Sequence, residues 1–340
     1  MPRPGADDDG RQSGRVLVVA CPGQGAQSPG MLVPWTEVDG FSEAVGHAGE
    51  VVGSDLLAHG TTSDADTIRD TAVAQPLLVA TALASLRAVL GVQPGTRLAQ
   101  AAPGTVDVAA GHSVGELAAA ALAGVLTEDE ALTLVAVRGA AMARAAASVP
   151  TGMSAVLGGD PDEVSARLEE LDLVPANVNG GGQVVAAGSL EALAALAAAP
   201  PARTRVVPLQ VAGAFHTRYM APAVDELAAA ASGVVPGNPV VTLLGNADGA
   251  VVTDGADALA RVVAQVARPV RWDLCQARLL GLGVTALLEV APGGVLTGLA
   301  RRTLPGVETL ALKSPADLDA ARDLVRRHAG TALNAQESQS

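Results

Sequence analysis

Residues 107–124 read DVAAGHSVGELAAAALAG. The opening Asp107-Val108-Ala109-Ala110 is a short, mostly apolar run of strand character, and from Gly115 onward the composition turns alanine-rich and helical. Between the two, Gly111-His112-Ser113-Val114-Gly115 fits the G-x-S-x-G pattern, in which a tight turn lifts a serine above the carboxyl edge of a sheet. Gly111 and Gly115 remove side chains where such a turn crowds its neighbours. The N–H groups and positive dipole of the new helix then face the serine oxygen, where a developing oxyanion would be stabilised. A glycine turn needed only for packing fits the same pentapeptide, and its place between strand and helix favours the catalytic reading.

Working outward, strands and helices alternate. Arg15-Val16-Leu17-Val18-Val19-Ala20 reads as a strand buried on both faces and closes in CPGQGAQ, 21–27. Helices are predicted over 72–90 and 127–147, the second opening on the capping box Thr127-Glu128-Asp129-Glu130. The middle then changes: Thr151 to Gly158 extended, 161–171 helical, Pro175 to Val178 and Gln183 to Ala187 extended around Gly180-Gly181-Gly182, 189–199 helical, Thr204 to Pro208 extended. That order, β-α-β-β-α-β, is the split unit of ferredoxin-like folds. Alternation resumes with helix 221–231, strand 239–244, helix 255–267, strand 284–290, a turn at Pro292-Gly293-Gly294, strand 307–312 and a helix from Pro315. The expected class is α/β: a large domain with a mainly parallel sheet, residues 15–147 and 213–328, and an inserted ferredoxin-like small domain, residues 148–212. Residues 1–14, with Asp7-Asp8-Asp9, are expected to form a disordered leader and 329–340 a loose tail.

Composition narrows the function. With 340 residues, 49% of them hydrophobic, the chain can bury a large core. Apolar stretches such as Leu190 to Ala202 are short and broken by Glu191 or Pro200, so no membrane span is expected. The polar leader lacks an export h-region, which gives a cytosolic expectation. Cys21 and Cys275 form no C-x-x-C pair, so reduced thiols are expected, with no zinc or other metal site. A net charge of −13 argues against nucleic acid as a bulk partner, and 1% aromatic residues leave no stacking platform for single strands.

Serine hydroxyls are weak nucleophiles and need a base within reach. Of the five histidines, His47, His59 and His328 lie in polar or terminal segments and are expected to be solvated, while His112 should point away from the serine in an elbow. His216 follows the extended QVAGAF segment and precedes a helix, so it pairs with Ser113, with a structural histidine as the competing reading. Hydrolases of the α/β class carry the order Ser, acid, His with the histidine late in the chain. More than a third of this chain follows His216, and no acid stands out as a third member, so a plain hydrolase triad fits poorly.

Five motifs in order carry a resemblance: CPGQGAQ at 21–27, GHSVGE at 111–116, GAFHTRYM at 213–220, QVARPVRW at 265–272 and EVAPGGVLTGL at 289–299. Together they resemble the malonyl-CoA:acyl carrier protein transacylase family, which includes the acyltransferase domains of polyketide synthases. The family fold is an α/β-hydrolase-like large domain with a ferredoxin-like insert. The resemblance implies that Ser113 attacks the malonyl thioester and that His216 takes the serine proton and returns it to the departing thiol. A malonyl-serine ester would then pass malonyl to the phosphopantetheine thiol of acyl carrier protein, in fatty acid or polyketide synthesis. It implies further that a carbonyl of Gln265 orients His216, that the backbone N–H groups of Gln24 and Val114 form the oxyanion hole, and that Arg138 binds the malonyl carboxylate. Arginine suits that task through its planar fork and permanent charge; a surface salt bridge is the bland alternative. Phe215 and Val114 resemble the malonyl-selecting forms, Asn179 matches a family asparagine near the domain cleft, and Met142, one turn after Arg138, is expected to line the same pocket. Core packing competes for Phe215 and Met142, and turn formation for Asn179. No cofactor of its own is implied, and the chain is expected to be monomeric. Because carrier proteins are acidic, Arg218, Arg268, Arg271, Arg301 and Arg302 are candidates for a basic patch near the cleft. A serine hydrolase or thioesterase using the same Ser113 and His216, with water as acceptor, is the alternative.

Overall fold

Leu17–Cys21 is buried at every residue, and its side chains alternate between two cores. Leu17, Val19 and Cys21 enter the larger one, Val18 and Ala20 the one on the opposite face. A strand can be apolar throughout only when its sheet is covered on both sides. The computed structural model describes residues 14–329; the expected leader and tail lie outside the described residues, apart from residues 14 and 329. Among the described residues there are eleven strands: β1 (Leu17–Cys21), β2 (Val108–Gly111), β3 (Thr151–Gly158), β4 (Val174–Gly180), β5 (Gln183–Ser189), β6 (Thr204–Pro208), β7 (Thr242–Leu244), β8 (Val251–Val252), β9 (Val270–Arg271), β10 (Ala286–Glu289) and β11 (Glu308–Ala311).

Six of them form one sheet in the order β11-β10-β1-β2-β7-β8. All neighbours in it run parallel except β7 and β8. The other five form a second sheet in the order β6-β3-β5-β4-β9, with every pair antiparallel except β4 and β9. Helix Pro161–Glu170 connects β3 to β4 and helix Leu190–Ala198 connects β5 to β6. Both pack on a small core that includes Val156, Leu168, Ala186 and Leu196. Strand β9 comes from far later in the chain than the other four strands of that sheet, yet it pairs with β4, and its Arg271 N–H donates to the Asn246 carbonyl at 2.8 Å. That stitch holds the two sheets together where the active groups gather.

Several elements differ from the sequence expectation. Helix Thr71–Leu90 has 20 residues, and its best window has a hydropathy of 1.6, long and apolar enough by those measures to cross a membrane. Apolar runs in this chain are therefore not all short. The helix is instead a core helix, with 78% of that window buried, packed against helix Glu128–Ser148. Residues 239–241 do not extend β7, because the Val240 N–H goes to the Ala123 carbonyl at 2.8 Å, at the end of the elbow helix. Helices Phe41–Val52, Trp272–Gly281 and Val295–Thr303 and the two-residue strands β8 and β9 carried no pattern clear enough to read.

Candidate active site

Ser113 sits at the carboxyl end of β2 with φ 52°, in the left-handed region. A non-glycine residue there costs on the order of 1–3 kcal/mol unless its surroundings hold it. Two glycines make the turn possible. A Cβ on Gly111 would stand 2.1 Å from the Gly115 carbonyl group, and one on Gly115 would stand 2.2 Å from the Cys21 carbonyl oxygen. The hold comes from Asn246, whose Oδ1 accepts the Ser113 N–H at 2.8 Å while its Nδ2 donates to the Gly111 carbonyl at 2.7 Å. Helix Gly115–Leu122 begins immediately beyond, with Val114 as its N-cap.

His216 also has a left-handed backbone, φ 61°. Its Nε2 lies 2.6 Å from Ser113 Oγ, and its Nδ1 lies 2.8 Å from the backbone carbonyl oxygen of Gln265. A carbonyl only accepts, so Nδ1 carries the proton and Nε2 is the free acceptor facing the serine hydroxyl. Burial, and after it the charge of Arg138, pushes the imidazole down to about 3. The ring is therefore neutral at physiological pH, with Nε2 unprotonated. Ala214, two residues before it, is pinned by its N–H to Thr151 Oγ1 at 3.0 Å.

Arg138, on helix Glu128–Ser148, is 1% exposed. Its Nη1 donates to Gln75 Oε1 at 2.6 Å, and its Nη2 donates to Gln265 Oε1 at 2.9 Å and approaches Ser113 Oγ at 3.4 Å. Both amide partners are neutral. Burial lowers the guanidinium to about 10, still charged at neutral pH. The other end of the Gln265 amide donates to the Ser113 carbonyl and to Asn246 Oδ1, both at 3.1 Å, and to a carboxylate oxygen of Glu116. Glu116, 5% exposed, accepts the Asn246 N–H at 2.6 Å with its other oxygen. Burial pushes its carboxyl up to about 7, against the pull of the Asn246 N–H, Arg138 and Arg261.

Ser113 and His216 open on a cavity of about 430 Å³ whose lining also includes Gln24, Met142, Phe215 and Asn179, while Arg138 and Gln265 sit behind that lining. Gln75 and His112 line it as well. His112 thus makes no bond to Ser113 but does face the cavity, with Nε2 2.8 Å from Asn179 Oδ1. The Val114 side chain packs into the large core. Among the described residues no backbone acceptor takes the N–H of Gln24 or of Val114. Buried side-chain oxygens of Gln24 and Asn177 have no protein partner either.

The basic candidates separate. Arg302 donates to Gln183 Oε1 at 3.2 Å, and Gln183 lines the cavity. Arg301, one residue earlier on the same helix, is directed to Thr309. Arg218 and Arg271 are engaged by Asp172 and Asp273, and Arg268 lines a different hollow with Asp248 and Asp257. Arg69, which sequence reading passed over, lines the cavity. His328 is not solvated: its side chain is 12% exposed and bonded to Thr285 and Glu308. Gln75, Glu116 and Asn246 were also passed over. The available signal was a lone polar residue in an apolar run, as in AVAQPLLVA at 72–80 and TLLGN at 242–246.

The model of the acyl transferase domain matches residues 18–321. A malonyl CoA-acyl carrier protein transacylase of Mycobacterium tuberculosis is 51% identical over 309 residues, covering 91% of this chain and all of that protein. The crystal structure of MCAT from the same organism superposes with a TM-score of 0.83 at 50% identity, over 90% of this chain and 99% of the other. A malonyl-transacylase, solved in complex with its type II PKS acyl-carrier protein, gives a TM-score of 0.80 at 31% identity, over 91% and 99% of the two chains. With the elbow serine and the carbonyl-bound histidine in one cavity and the buried arginine directly behind the serine, this chain belongs to the malonyl-CoA:acyl carrier protein transacylase family of acyltransferases.

Proposed function

We propose that this chain moves malonyl from malonyl-CoA to the phosphopantetheine thiol of acyl carrier protein through an ester on Ser113. The observation that carries the reading is one oxygen, Ser113 Oγ, at 2.6 Å from a neutral imidazole and 3.4 Å from a buried guanidinium. In the first half, Oγ forms a bond to the thioester carbonyl carbon as its proton passes to His216 Nε2. The oxyanion is received by the N–H groups of Gln24 and Val114, each such donor being worth about 3 kcal/mol in the transition state. The C–S bond then breaks, the thiolate takes the proton from His216, and CoA leaves as the thiol. In the second half the carrier thiol gives its proton to His216, attacks the ester carbonyl, and Ser113 recovers the proton as it departs. Gln265 supplies the carbonyl that fixes the tautomer of His216 throughout.

Arg138 binds the free malonyl carboxylate, Phe215 fills the space a branch on that acyl group would need, and Met142 and Asn179 shape the remaining wall. A neutral acyl group leaves the cation unpaired, which disfavours it. The same reading divides the chain into a hydrolase-like body, 15–147 and 213–328, and a ferredoxin-like insert, 148–212. The sheet order β6-β3-β5-β4 supports that division. Arg302, bonded to Gln183 of the cavity lining, is the candidate arginine that would meet an acidic carrier. Two buried free thiols suit a cytosolic setting. Hydrolysis on the same Ser113 and His216 finds no support in the relatives. Intact-mass measurement after malonyl-CoA should show one malonyl group on the protein and none on Ser113→Ala, followed by its appearance on the holo-carrier. Release of free malonate with no carrier loading would overturn transfer in favour of hydrolysis.

A further inference from the structure

Behind the arginine lies a carboxyl group that lines no part of the cavity. Glu116 is joined to Arg138 by a single amide: Arg138 donates to Gln265 Oε1, and Gln265 Nε2 donates to Glu116. The direction of that chain is fixed by donor chemistry, since a guanidinium only donates and a carboxylate only accepts. Before substrate arrives, one buried cation is balanced by one buried anion. A malonyl carboxylate on Arg138 brings a second anion into the same dry volume, with one guanidinium to serve both, and two carboxylates sharing a site do not both stay ionised.

We propose that Glu116 is a positioning residue that takes up a proton as the malonyl carboxylate reaches Arg138, so that the charge of the arginine passes from an internal partner to the acyl group. The inference rests on the reading of Arg138 as the carboxylate-binding residue. Every charged or titratable group facing Glu116 is otherwise committed. Arg138 approaches from helix Glu128–Ser148 and stays cationic. Arg261, on helix Gly255–Gln265, is held by Asp248 at 3.0 Å and Asp257 at 2.8 Å. The Cys275 thiol, on helix Trp272–Gly281, is pushed well above its ordinary range by burial and stays protonated. Asn246 and Gln265 are amides. Only Glu116, raised by burial to about 7, is poised to change charge near neutrality.

The test uses Ser113→Ala protein, which binds acyl-CoA without accepting the acyl group. In weakly buffered solution with an indicator dye at about pH 7.5, malonyl-CoA should draw in roughly half a proton or more per site. Acetyl-CoA should draw in none, and neither ligand should do so when Glu116→Gln is added. In the active enzyme, KM for malonyl-CoA relative to acetyl-CoA should rise on the order of tenfold from pH 6 to 8.5, and stay flat in Glu116→Gln. Equal affinity of Ser113→Ala for the two acyl-CoAs would remove both the arginine reading and this inference. Malonyl preference without proton uptake, or uptake that persists in Glu116→Gln, overturns the inference alone. Should Glu116→Gln fail to fold by circular dichroism, proton uptake by Ser113→Ala protein decides the matter.

Discussion

On the parallel-sheet side of the cavity, Ser113 and His216 in the lining and Arg138, Gln265 and Asn246 behind it each hold two or more hydrogen bonds to one another or to their neighbours. On the opposite wall, Met153, Asn177, Asn179, Gln183 and Val185 project from β3, β4 and β5. Asn177 Oδ1 there has no partner, and Gln183 is tethered to an exposed arginine. The first wall is over-determined, as a site must be to keep a serine and a histidine in left-handed backbone. The second is looser and can accept an arm that reaches in from solvent.

Removing the cation should separate the walls most. Arg138→Ala should cost roughly 100-fold in kcat/KM with malonyl-CoA, the loss of about 3 kcal/mol from a charged hydrogen-bond pair. It should raise acetyl-CoA use relative to malonyl-CoA, measured by initial rates with each. An unchanged preference would place carboxylate recognition elsewhere. Asn246→Ala comes next. It strands the Ser113 N–H and the Gly111 carbonyl, so stability should fall by about 2–3 kcal/mol in urea and Ser113 acylation should slow about tenfold or more. Asn246→Asp, which keeps the acceptor for Ser113, should recover much of the acylation rate.

Acid probes the same wall without a change in the acylating serine. His216 is held below its unfolded value of about 6.5, so the unfolded chain binds a proton that the folded chain refuses. The stabilising contribution is complete above about pH 6.5 and is lost as pH falls from there toward 3, at up to roughly 1.4 kcal/mol per pH unit. Thermal melts should therefore show His216→Gln losing less stability than the parent between pH 6.5 and 4. Parallel losses would mean that the imidazole is not held neutral.

How much of this was legible follows from the range of each interaction. The elbow, the capping box at Thr127 and the β-α-β-β-α-β order are local patterns, written in neighbouring residues, and their elements appear within a few positions of expectation. Ser113, His216, Arg138 and Gln265, chosen by motif, fall within hydrogen-bond reach of one another. No local pattern assigns Gln75, Glu116 and Asn246 their roles, because their partners lie 63, 149 and 133 positions away along the chain. Strand β9 was equally hidden: two residues have no periodicity, and only β4 makes Val270–Arg271 a strand.

The smallest expected effect lies on the looser wall, and its sign is informative. Asn177 Oδ1 is a buried acceptor without a protein donor, so the folded chain carries its desolvation cost, and Asn177→Ala should leave the melting temperature unchanged or slightly higher. An amide N–H of the incoming arm is the donor that would satisfy it. Losing that one neutral hydrogen bond should raise KM for the acyl-CoA about fivefold, near 1 kcal/mol, with kcat intact. Truncation that instead lowered kcat with unchanged KM would mean that this wall, too, is engaged with the transition state, and the division between a rigid and a permissive face would fail.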